Sequence, residues 1–363
     1  QRRESVSDKG IQVSHHVGRM VETTVREYVS QHDAMGELPL LTQSAEITEV
    51  VKMDEDRRPE VIAVLNRWLE DTLDGEYGPV SGPSDWDGLD EQLAAAGEPA
   101  LARRVATVVE RYERPKPMLV RCRFGPDIDF LAGQYVGFTY NGVPRAYSIA
   151  NSPTEDELEI CVRRVPDGKL SPQLCDDLTV GETVTVRGPY GELLLQDRSP
   201  RDIVFLATGT GVAPFKSIID YVFETGRDEY KGEKRDIWLF LGTAWLDDLP
   251  YREAFRERQR RHDNFHFVPC LSREQHLSDW DGESDYVQHA LLKHTDSTAV
   301  TASLGDELER WIRQEPDSGV ENRLDPAHVD VYACGINAMV YSLVRAVERL
   351  GVPPERIESE GFG

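Results

Sequence analysis

The tetrad Arg145-Ala146-Tyr147-Ser148 combines a cation, an aromatic ring and a hydroxyl at strand spacing, directly after the strand-like run Gly133–Tyr140 and a turn. Because side chains alternate along a strand, we expect Arg145 and Tyr147 on one face and Ser148 on the other. A guanidinium pairs with pyrophosphate oxygens, an aromatic ring stacks on a flat ring, and a hydroxyl can reach a reactive nitrogen. The tetrad therefore fits a planar, phosphorylated cofactor, although taken alone it also fits the exposed end of a strand.

A glycine-rich segment from Thr208 to Pro214 is the second place where residue types suggest chemistry. It follows the apolar run Ile203–Ala207, which is typical of a buried parallel strand, and precedes a predicted helix over Phe215–Glu224. Such a turn between a strand and a helix lets the backbone approach a pyrophosphate closely. The segment departs from the G-x-G-x-x-G fingerprint, so the turn itself carries the prediction.

Gly168 and Ser171 form a third candidate, at the start of a short predicted helix over Ser171–Leu178. Free backbone N–H groups and a capping hydroxyl at a helix N-terminus bind phosphate. An ordinary N-cap serine explains the same residues equally well, and the sequence leaves both interpretations open.

The composition is strongly acidic, with 65 Asp and Glu against 41 Lys and Arg in 363 residues, a net charge of −24. Such a surface repels nucleic acids and anionic membranes, so we expect neither as a partner. The acids are spread along the chain, which favours a halophilic adaptation, because the Debye length falls to about 3 Å at 1 M salt. An acidic patch for a basic partner is the alternative.

Cysteine and histidine patterns indicate no metal site. Five scattered cysteines contain no C-x-x-C pair, and His15, His16 and His32 have no matching ligands nearby. The odd cysteine count argues against a disulfide framework and favours a reducing cytoplasm. No apolar run approaches the ~20 residues that a transmembrane helix needs.

The pattern of apolar and turn residues along the chain predicts an α+β multidomain protein with three regions. Residues 1–102 are predicted to be helical, with apolar spacing over 11–29, 60–73 and 89–96, and the sequence does not indicate their role. Residues 103–200 contain six short strands with turn residues between them, which predicts an antiparallel β-barrel. Residues 201–363 alternate strands and helices, which predicts a doubly wound α/β domain with an insertion near 293–325.

The predicted elements are as follows. The barrel strands are Val105–Tyr112, Met118–Phe124, Gly133–Tyr140, Arg145–Ser148, Leu158–Val165 and Glu182–Arg187. The α/β strands are Ile203–Ala207, Ile237–Gly242, Phe265–Leu271 and Val329–Ala333, and the α/β helices are Phe215–Glu224, Tyr251–His262, Tyr286–Leu292 and Ala338–Leu350.

A barrel followed by a doubly wound nucleotide domain resembles the ferredoxin–NADP reductase family, and most closely its plant-type branch. The resemblance covers residues 103–363 and rests on seven motifs in the family's order. These are Arg145-Ala146-Tyr147-Ser148, Cys161-Val162-Arg163-Arg164, Leu174-Cys175-Asp176, Gly188-Pro189-Tyr190-Gly191, Gly209-Thr210-Gly211-Val212-Ala213-Pro214-Phe215, Ser272-Arg273-Glu274-Gln275 and Tyr332-Ala333-Cys334-Gly335.

The resemblance implies a barrel that binds FAD. Arg145 would hold the pyrophosphate, Tyr147 would stack on the flavin, and Ser148 would hydrogen-bond near flavin N5. Residues expected to complete this site are Cys161 and Arg163 along one strand, Gly168 and Ser171 at the phosphates, and Glu360 and Phe362 at the C-terminus. The Phe362 ring would cover the flavin until nicotinamide displaces it, although here Gly363 follows that aromatic residue.

The resemblance also implies a nicotinamide nucleotide in the second domain. Gly209, Thr210, Gly211 and Pro214 would receive its pyrophosphate, and Cys334 with Gly335 would lie where nicotinamide C4 meets flavin N5, unless Cys334 is simply a packed core residue.

Nucleotide choice turns on the 2′-phosphate. Ser272 and Arg273 match the residues that bind this phosphate, and Tyr286 matches the ring that stacks on adenine. Arg273 could equally form a surface ion pair, and Ser284 and Asp285 weaken the pattern, since a lysine of the plant pattern is replaced by Ser284. We expect NADPH, with NADH as the alternative.

The expected activity is hydride transfer between NADPH and FAD, with single electrons passed to or from a ferredoxin-type iron–sulfur protein. Two alternatives stay open: an NADH-fed reductase component of an oxygenase system, and a non-catalytic flavoprotein subunit of a larger complex. The sequence does not indicate the acceptor, the direction of flux or the oligomeric state.

Overall fold

The computed structural model describes residues 38–73, 78–196, 198–300 and 304–362, so the predicted helix over 11–29 and the three N-terminal histidines lie outside the described residues. The first element is a strand, β1, which belongs to the barrel. Four helices, α1 to α4, follow it and pack together, with Trp245 and Leu277 of the second domain in the same hydrophobic core. Their bounds are β1 Leu41–Lys52, α1 Arg58–Leu73, α2 Pro83–Trp86, α3 Leu89–Ala95 and α4 Pro99–Glu113.

Two predictions for this part of the chain are wrong. The predicted strand Val105–Tyr112 lies in helix α4, because its buried residues Val105 and Val108 recur at helical spacing and Pro99 opens the helix. Residues 41–52, placed in a helical region, form β1, in which Ala45 and Ile47 are buried with an exposed residue between them. The N-terminal hundred residues are therefore not all helical, while the boundary at 102/103 stays a prediction.

The barrel consists of six antiparallel strands in the order β4-β3-β6-β1-β2-β5. A bridge between Ile149 and Ile160 links the end of β4 to β5, so the sheet nearly closes. Short helix α5 lies between β5 and β6. The new elements are β2 Leu119–Phe124, β3 Tyr135–Tyr140, β4 Val143–Ser148, β5 Leu158–Arg163, α5 Ser171–Asp176 and β6 Thr183–Tyr190. The predicted antiparallel barrel is confirmed.

The second domain is a parallel sheet in the order β11-β10-β7-β12-β13, with helices packed on it. The last strand, β13, is an element that the sequence analysis does not predict. A small hairpin, β8–β9, precedes β10. The bounds are β7 Asp202–Thr208, α6 Ala213–Thr225, β8 Glu229–Tyr230, β9 Glu233–Lys234, β10 Ile237–Thr243, α7 Arg252–Arg261, β11 Phe265–Leu271, α8 Val287–Lys293, α9 Asp306–Ile312, β12 Val329–Ile336, α10 Asn337–Arg349 and β13 Ile357–Phe362.

The order of the parallel strands defines where a ligand belongs. From β7 the chain builds β10 and β11 on one side and then crosses to β12 and β13 on the other. The switch point therefore lies between β7 and β12, and the crevice at their carboxyl ends is the usual ligand site of such sheets. Helix α9 lies within the predicted insertion near 293–325. No helix among the described residues is long and apolar enough to cross a bilayer.

Candidate functional site

Strand β4 presents the tetrad at the edge of the barrel. The Asn141–Gly142 turn that opens β4 has positive φ at both positions, 48° and 74°, as a two-residue hairpin requires. Arg145 is exposed, and its Nη1 donates a hydrogen bond at 2.7 Å only to the neighbouring carbonyl of Pro144 among the contacts seen. A guanidinium held at the strand surface in this way can turn toward a phosphate.

Tyr147 and Ser148 lie further into the barrel than Arg145. Tyr147 is half-buried, with its ring edge-on to Phe138 at a centroid distance of 6.0 Å, and burial raises the pKa of its hydroxyl. Ser148 is buried and pairs with Tyr135 on strand β3. An aromatic ring fixed in orientation and a neighbouring hydroxyl thus end the strand, as the sequence predicts.

The turn at Gly168 and Ser171, predicted to bind phosphate, lacks the expected capping hydroxyl. Helix α5 begins at Ser171 itself and Leu170 is its N-cap residue, so Ser171 is not the capping hydroxyl. Its Oγ instead accepts a hydrogen bond from the backbone N–H of Val165 at 2.9 Å. Gly168 lies in the same tight turn, where a Cβ atom would lie 2.9 Å from the Val165 carbonyl oxygen and 3.0 Å from Ser171 Oγ. Only glycine therefore fits the turn comfortably, and its backbone N–H donates to the Val165 carbonyl at 2.9 Å.

Strand β5 is the barrel strand that contributes Cys161 to the core shared with the second domain. Cys161 is buried in the core that both domains share, with its Sγ 4.0 Å from Met53 Sδ, and burial raises its pKa to about 12. Its side chain packs in this shared core and not in the interior core of the barrel. Arg163 Nη2 lies 3.8 Å from Asp248 Oδ2, and its Nη1 would be 4.0 Å from a Cβ atom at Gly209. Arg163 thus lies beside the glycine-rich turn.

The glycine-rich turn closes against β12 at the switch point. Residues Gly209–Val212 form a 3₁₀ turn between β7 and α6. At Gly211 a Cβ atom would lie 2.6 Å from the Cys334 carbonyl oxygen and 2.8 Å from Gly335 Cα. At Gly335 a Cβ atom would lie 2.6 Å from Thr208 Oγ1. The absence of side chains on these glycines lets the two strand ends meet. Helix α6 begins at Ala213, two residues before the predicted start, so Pro214 lies in its first turn rather than in the preceding glycine-rich turn.

Cys334 and Glu360 lie on adjacent strands beside the switch point. They are register partners in the β12–β13 pair, and Cys334 also pairs with Ala207 on β7. Cys334 is fully buried, and burial together with the charge of Glu360 raises the pKa of its thiol. Burial raises the pKa of Glu360 as well, and its buried Oε2 has no hydrogen-bonding partner among the described residues. The Cys334 thiol and a carboxyl group without a hydrogen-bond donor among the described residues therefore lie on paired positions of neighbouring strands.

Phe362 continues β13, and its backbone pairs with Ile336 beside the same crevice. The placement of the Phe362 ring and of Gly363 lies outside what the structure describes. The predicted cover over the flavin therefore stays a prediction.

Ser272 and Arg273 follow β11, at the same carboxyl edge of the sheet. Their backbone N–H groups donate to the carbonyls of Thr243 and Ala244 at 3.1 and 3.0 Å, which fixes the turn to the end of β10. Arg273 Nη1 lies 3.4 Å from Oε2 of Glu110 on helix α4. The surface ion pair that the sequence left as an alternative is thus present, with a partner from the helical region.

Tyr286 is 63% exposed at the start of α8, so its ring is accessible for stacking. Its neighbour Asp285 is tied to Lys293, with Oδ2 2.9 Å from Nζ. Lys293 Nζ also lies 3.1 Å from Glu283 Oε2 and 2.8 Å from Asp317 Oδ2. The three carboxylates beside Tyr286 therefore pair with Lys293.

The structure adds detail at one predicted residue and shows two residues to which the sequence assigned no role. Thr208 lies in the predicted glycine-rich segment, and its Oγ1 is buried at the switch point with no hydrogen-bonding partner among the described residues. Asp248 lies between Arg163 and Arg114 of the helical region, and Glu110 faces Arg273. Neither Asp248 nor Glu110 was predicted, because contacts made by the helical region carry no local sequence signal.

The donors present fit FAD and a nicotinamide nucleotide. The accessible guanidinium of Arg145 and the Gly168 turn suit phosphates, and the half-buried Tyr147 ring suits a flat heterocycle. Orphaned oxygens on Thr208 and Glu360 at the switch point suit a polar ring such as nicotinamide, because buried polar atoms normally have partners.

Comparisons with known proteins agree with this division. Residues 124–194 match the oxidoreductase FAD-binding domain family, and residues 205–345 match the oxidoreductase NAD-binding domain family. The reductase component of phenol 2-monooxygenase from a Pseudomonas species is 35% identical over 46% of this chain and 46% of its own length. A chloroplastic leaf ferredoxin–NADP reductase of rice (Oryza sativa subsp. japonica) is 30% identical over 59% of this chain and 58% of its own.

A solved structure shows the same fold over more of the chain. A cytochrome P450 reductase of Amycolatopsis superposes with a TM-score of 0.58 at 23% identity, over 90% of this chain and 71% of the other. The chain spans about half the length of the first curated relatives that it matches.

Proposed function

Since this chain belongs to the ferredoxin reductase-like family, we propose that it is a flavoprotein oxidoreductase that transfers hydride between NADPH and FAD and single electrons to or from a ferredoxin-type iron–sulfur protein. The observation that carries the proposal is the meeting of Gly211 with Cys334 at the switch point, with Arg163 of the barrel beside Gly209. This junction brings a barrel edge suited to a flavin next to a crevice suited to a nicotinamide. When bound, FAD supplies two-electron chemistry with nicotinamide and one-electron chemistry with a carrier.

The residues of the chain position the cofactors and keep water out. Arg145 binds the pyrophosphate, Tyr147 orients the ring system, and the Gly168 turn admits a phosphate to the backbone. The turn at Gly209–Val212 lets a second pyrophosphate approach α6. Cys334 keeps its proton, because burial and the neighbouring carboxyl group disfavour the thiolate. The thiol therefore acts by packing and polarity, and no nucleophilic step is assigned to it.

NADPH is the proposed nucleotide, with Ser272 and Arg273 as the residues that recognise its 2′-phosphate. The Arg273→Glu variant tests this assignment in stopped-flow reduction of the bound flavin. We expect its KM for NADPH to rise about tenfold or more, since a charge-assisted contact contributes ~1.5–3 kcal/mol, while NADH turnover stays the same. Equal effects on both nucleotides would overturn the assignment, and Arg256→Glu, at an exposed position of α7, is the matched control.

A second candidate is an NADH-dependent reductase component of an oxygenase system. Two observations favour it. Glu110 already contacts Arg273, and Asp285 stands beside Tyr286 at the adenine position. Reductase components of phenol and propane monooxygenases are among the relatives of the chain. A KM for NADH below that for NADPH in the unmodified protein would favour this candidate.

The proposed partner is a small iron–sulfur carrier, and the proposed setting is the cytoplasm of a halophile. The net charge of −24 supports the halophilic setting, and the five buried, unpaired cysteines support a reducing compartment. A partner adapted to the same salt would also be acidic, so docking should depend on short-range contacts rather than on steering. A steep fall in electron-transfer rate with rising salt would contradict this expectation.

A further inference from the structure

Helices α1 to α4 share a hydrophobic core with the loops of the nucleotide domain. Trp245, from the loop after β10, is fully buried in that core, and Leu277, from the loop after β11, is 4% exposed. They pack among helical residues that include Leu89, Val105 and Val108. The loop that carries Ser272 and Arg273 therefore has the helical cluster as one of its walls.

Buried ion pairs fix this wall in position. Arg57 Nη1 donates to both carboxylate oxygens of Glu274, at 2.8 and 3.0 Å, and Glu274 is fully buried. Arg111 of α4 contacts Asp247, and Arg114 Nη1 lies 2.7 Å from Asp248 Oδ2. Because Glu274 is the residue next to Arg273, the anchor constrains the backbone of the proposed phosphate-recognition turn relative to the helical cluster.

Helix α4 brings charges of both signs to this turn. Glu110 Oε2 lies 3.4 Å from Arg273 Nη1, and both side chains are accessible, at 63% and 43% exposure. Burial, together with the positive charges of Arg104 on α4 and of Arg273, lowers the pKa of His276 in the same loop. Arg273 thus has the cation of Arg104 and the carboxylate of Glu110 in its surroundings, while the carboxylate of the adjacent Glu274 is already bound to Arg57.

We propose that Glu110 of helix α4 is a specificity-determining residue. Its carboxylate disfavours binding of a 2′-phosphate at Arg273 and so sets the ratio of NADPH to NADH use. The inference rests on the proposed function. A 2′-phosphate that binds Arg273 must displace the Glu110 carboxylate from the guanidinium or lie beside it, and like charges repel at such a distance. A ribose 2′-hydroxyl carries no charge, and it can donate a hydrogen bond to a carboxylate, as acidic residues accept from NAD in other nucleotide domains.

The test uses the full-length, FAD-loaded protein at fixed low ionic strength. Glu110→Gln removes the charge and keeps the shape, and Glu91→Gln, at an exposed position on α3, makes the same change in net charge away from the turn. The probes are 2′,5′-ADP and 5′-ADP, with dissociation constants from calorimetry, followed by KM values for NADPH and NADH. We expect Glu110→Gln to tighten 2′,5′-ADP binding and lower the KM for NADPH by about three- to fivefold, the range of an exposed ion pair.

The two nucleotide forms separate the outcomes. The proposal requires that Glu110→Gln does not bind 5′-ADP more tightly and does not lower the KM for NADH. It also requires that Glu91→Gln behaves like the unmodified protein. Weaker 2′,5′-ADP binding in Glu110→Gln, or a change equal to that of Glu91→Gln, overturns the proposal. If neither nucleotide reduces the flavin, the proposed function fails, while the comparison of 2′,5′-ADP with 5′-ADP still decides the role of Glu110.

Discussion

Glu360 lies directly opposite Cys334 across the β12–β13 pair, with its Oε2 atom buried and without a hydrogen-bonding partner among the described residues. Burial raises the pKa of the Glu360 carboxyl group, and burial together with the charge of Glu360 raises the pKa of the Cys334 thiol. The surroundings therefore disfavour the charged form of each group beside the switch point of the parallel sheet. A buried polar oxygen without a partner suits a polar ring such as nicotinamide, which can supply the missing hydrogen bond.

Glu360→Gln should change the pH dependence of stability. The raised pKa means that the fold favours the protonated carboxyl group, so its stabilisation is complete below the ordinary pKa and is lost as the pH rises through the raised value. Glutamine cannot ionise, so the variant should unfold at a higher temperature than the unmodified protein at neutral pH. The difference should vanish below about pH 4. Thermal unfolding from pH 4 to 8 measures this, with exposed Glu355→Gln as the control. A pH-independent difference would contradict the assignment.

Arg57→Ala should destabilise the protein by about 3–5 kcal/mol, because it leaves the buried carboxylate of Glu274 without its partner. It should also raise the KM for NADPH, since the turn at Arg273 loses its anchor. Arg58→Ala is a matched control at the next position, because Arg58 is 51% exposed and pairs with Asp56 at the surface. Denaturant unfolding should leave Arg58→Ala unchanged within error. Equal losses in the two variants would mean that the helical cluster does not buttress the nucleotide domain.

Gly211→Ala should cost about 1–3 kcal/mol and weaken nucleotide binding, because its Cβ atom would lie 2.6 Å from the backbone oxygen of Cys334. Backbone atoms at a strand end cannot move aside as a flexible side chain can. Gly125→Ala is the control, since no atom lies within 4 Å of a Cβ atom there. That substitution should be neutral or stabilise the fold by up to about 1 kcal/mol. Unchanged NADPH affinity in a folded Gly211→Ala would show that the turn does not receive the nucleotide.

Arg145→Ala should weaken FAD binding about 10- to 100-fold without changing the unfolding temperature of the apoprotein, because a charge-assisted hydrogen bond contributes ~1.5–3 kcal/mol. Arg145 is exposed, and within the described part of the chain its guanidinium hydrogen-bonds to the carbonyl of the preceding residue, so we expect little effect on the fold. Fluorescence titration with FAD gives the affinity, and Arg256→Ala at an exposed position of α7 controls for net charge. An unchanged dissociation constant would place the pyrophosphate elsewhere.

Sequence patterns predicted those parts of the fold in which local periodicity matches tertiary burial. Strand β7 is apolar throughout its interior and buried, and the Asn141–Gly142 turn has the backbone that its residues favour. The prediction of a strand over Val105–Tyr112 was wrong. The apolar residues of this short segment fit both the alternation of a strand and the 3.6-residue period of a helix, and the structure has helix α4 there. Strand β1 was missed because its partners β2 and β6 lie far along the chain, and pairing rather than propensity defines it.

The site residues divide in the same way. Motif residues such as Arg145 in strand β4 and Gly211 in the turn after β7 lie in local elements that the sequence predicts. The contact of Glu110 with Arg273 joins residues 163 positions apart through the packing of a helical cluster, which no local pattern encodes. Under the proposal for Glu110, nucleotide specificity would depend on a region that the motifs do not cover.

The central claim is that the barrel edge at Tyr147 and the crevice at Cys334 hold a flavin and a nicotinamide side by side. Anaerobic stopped-flow mixing of the purified, FAD-supplemented protein with NADPH, and separately with NADH, tests it most directly. We predict a bound flavin with its visible absorbance, bleached rapidly by at least one nucleotide and slowed in Cys334→Ala. A protein that stays colourless with FAD, or a bound flavin that neither nucleotide reduces, would contradict the account.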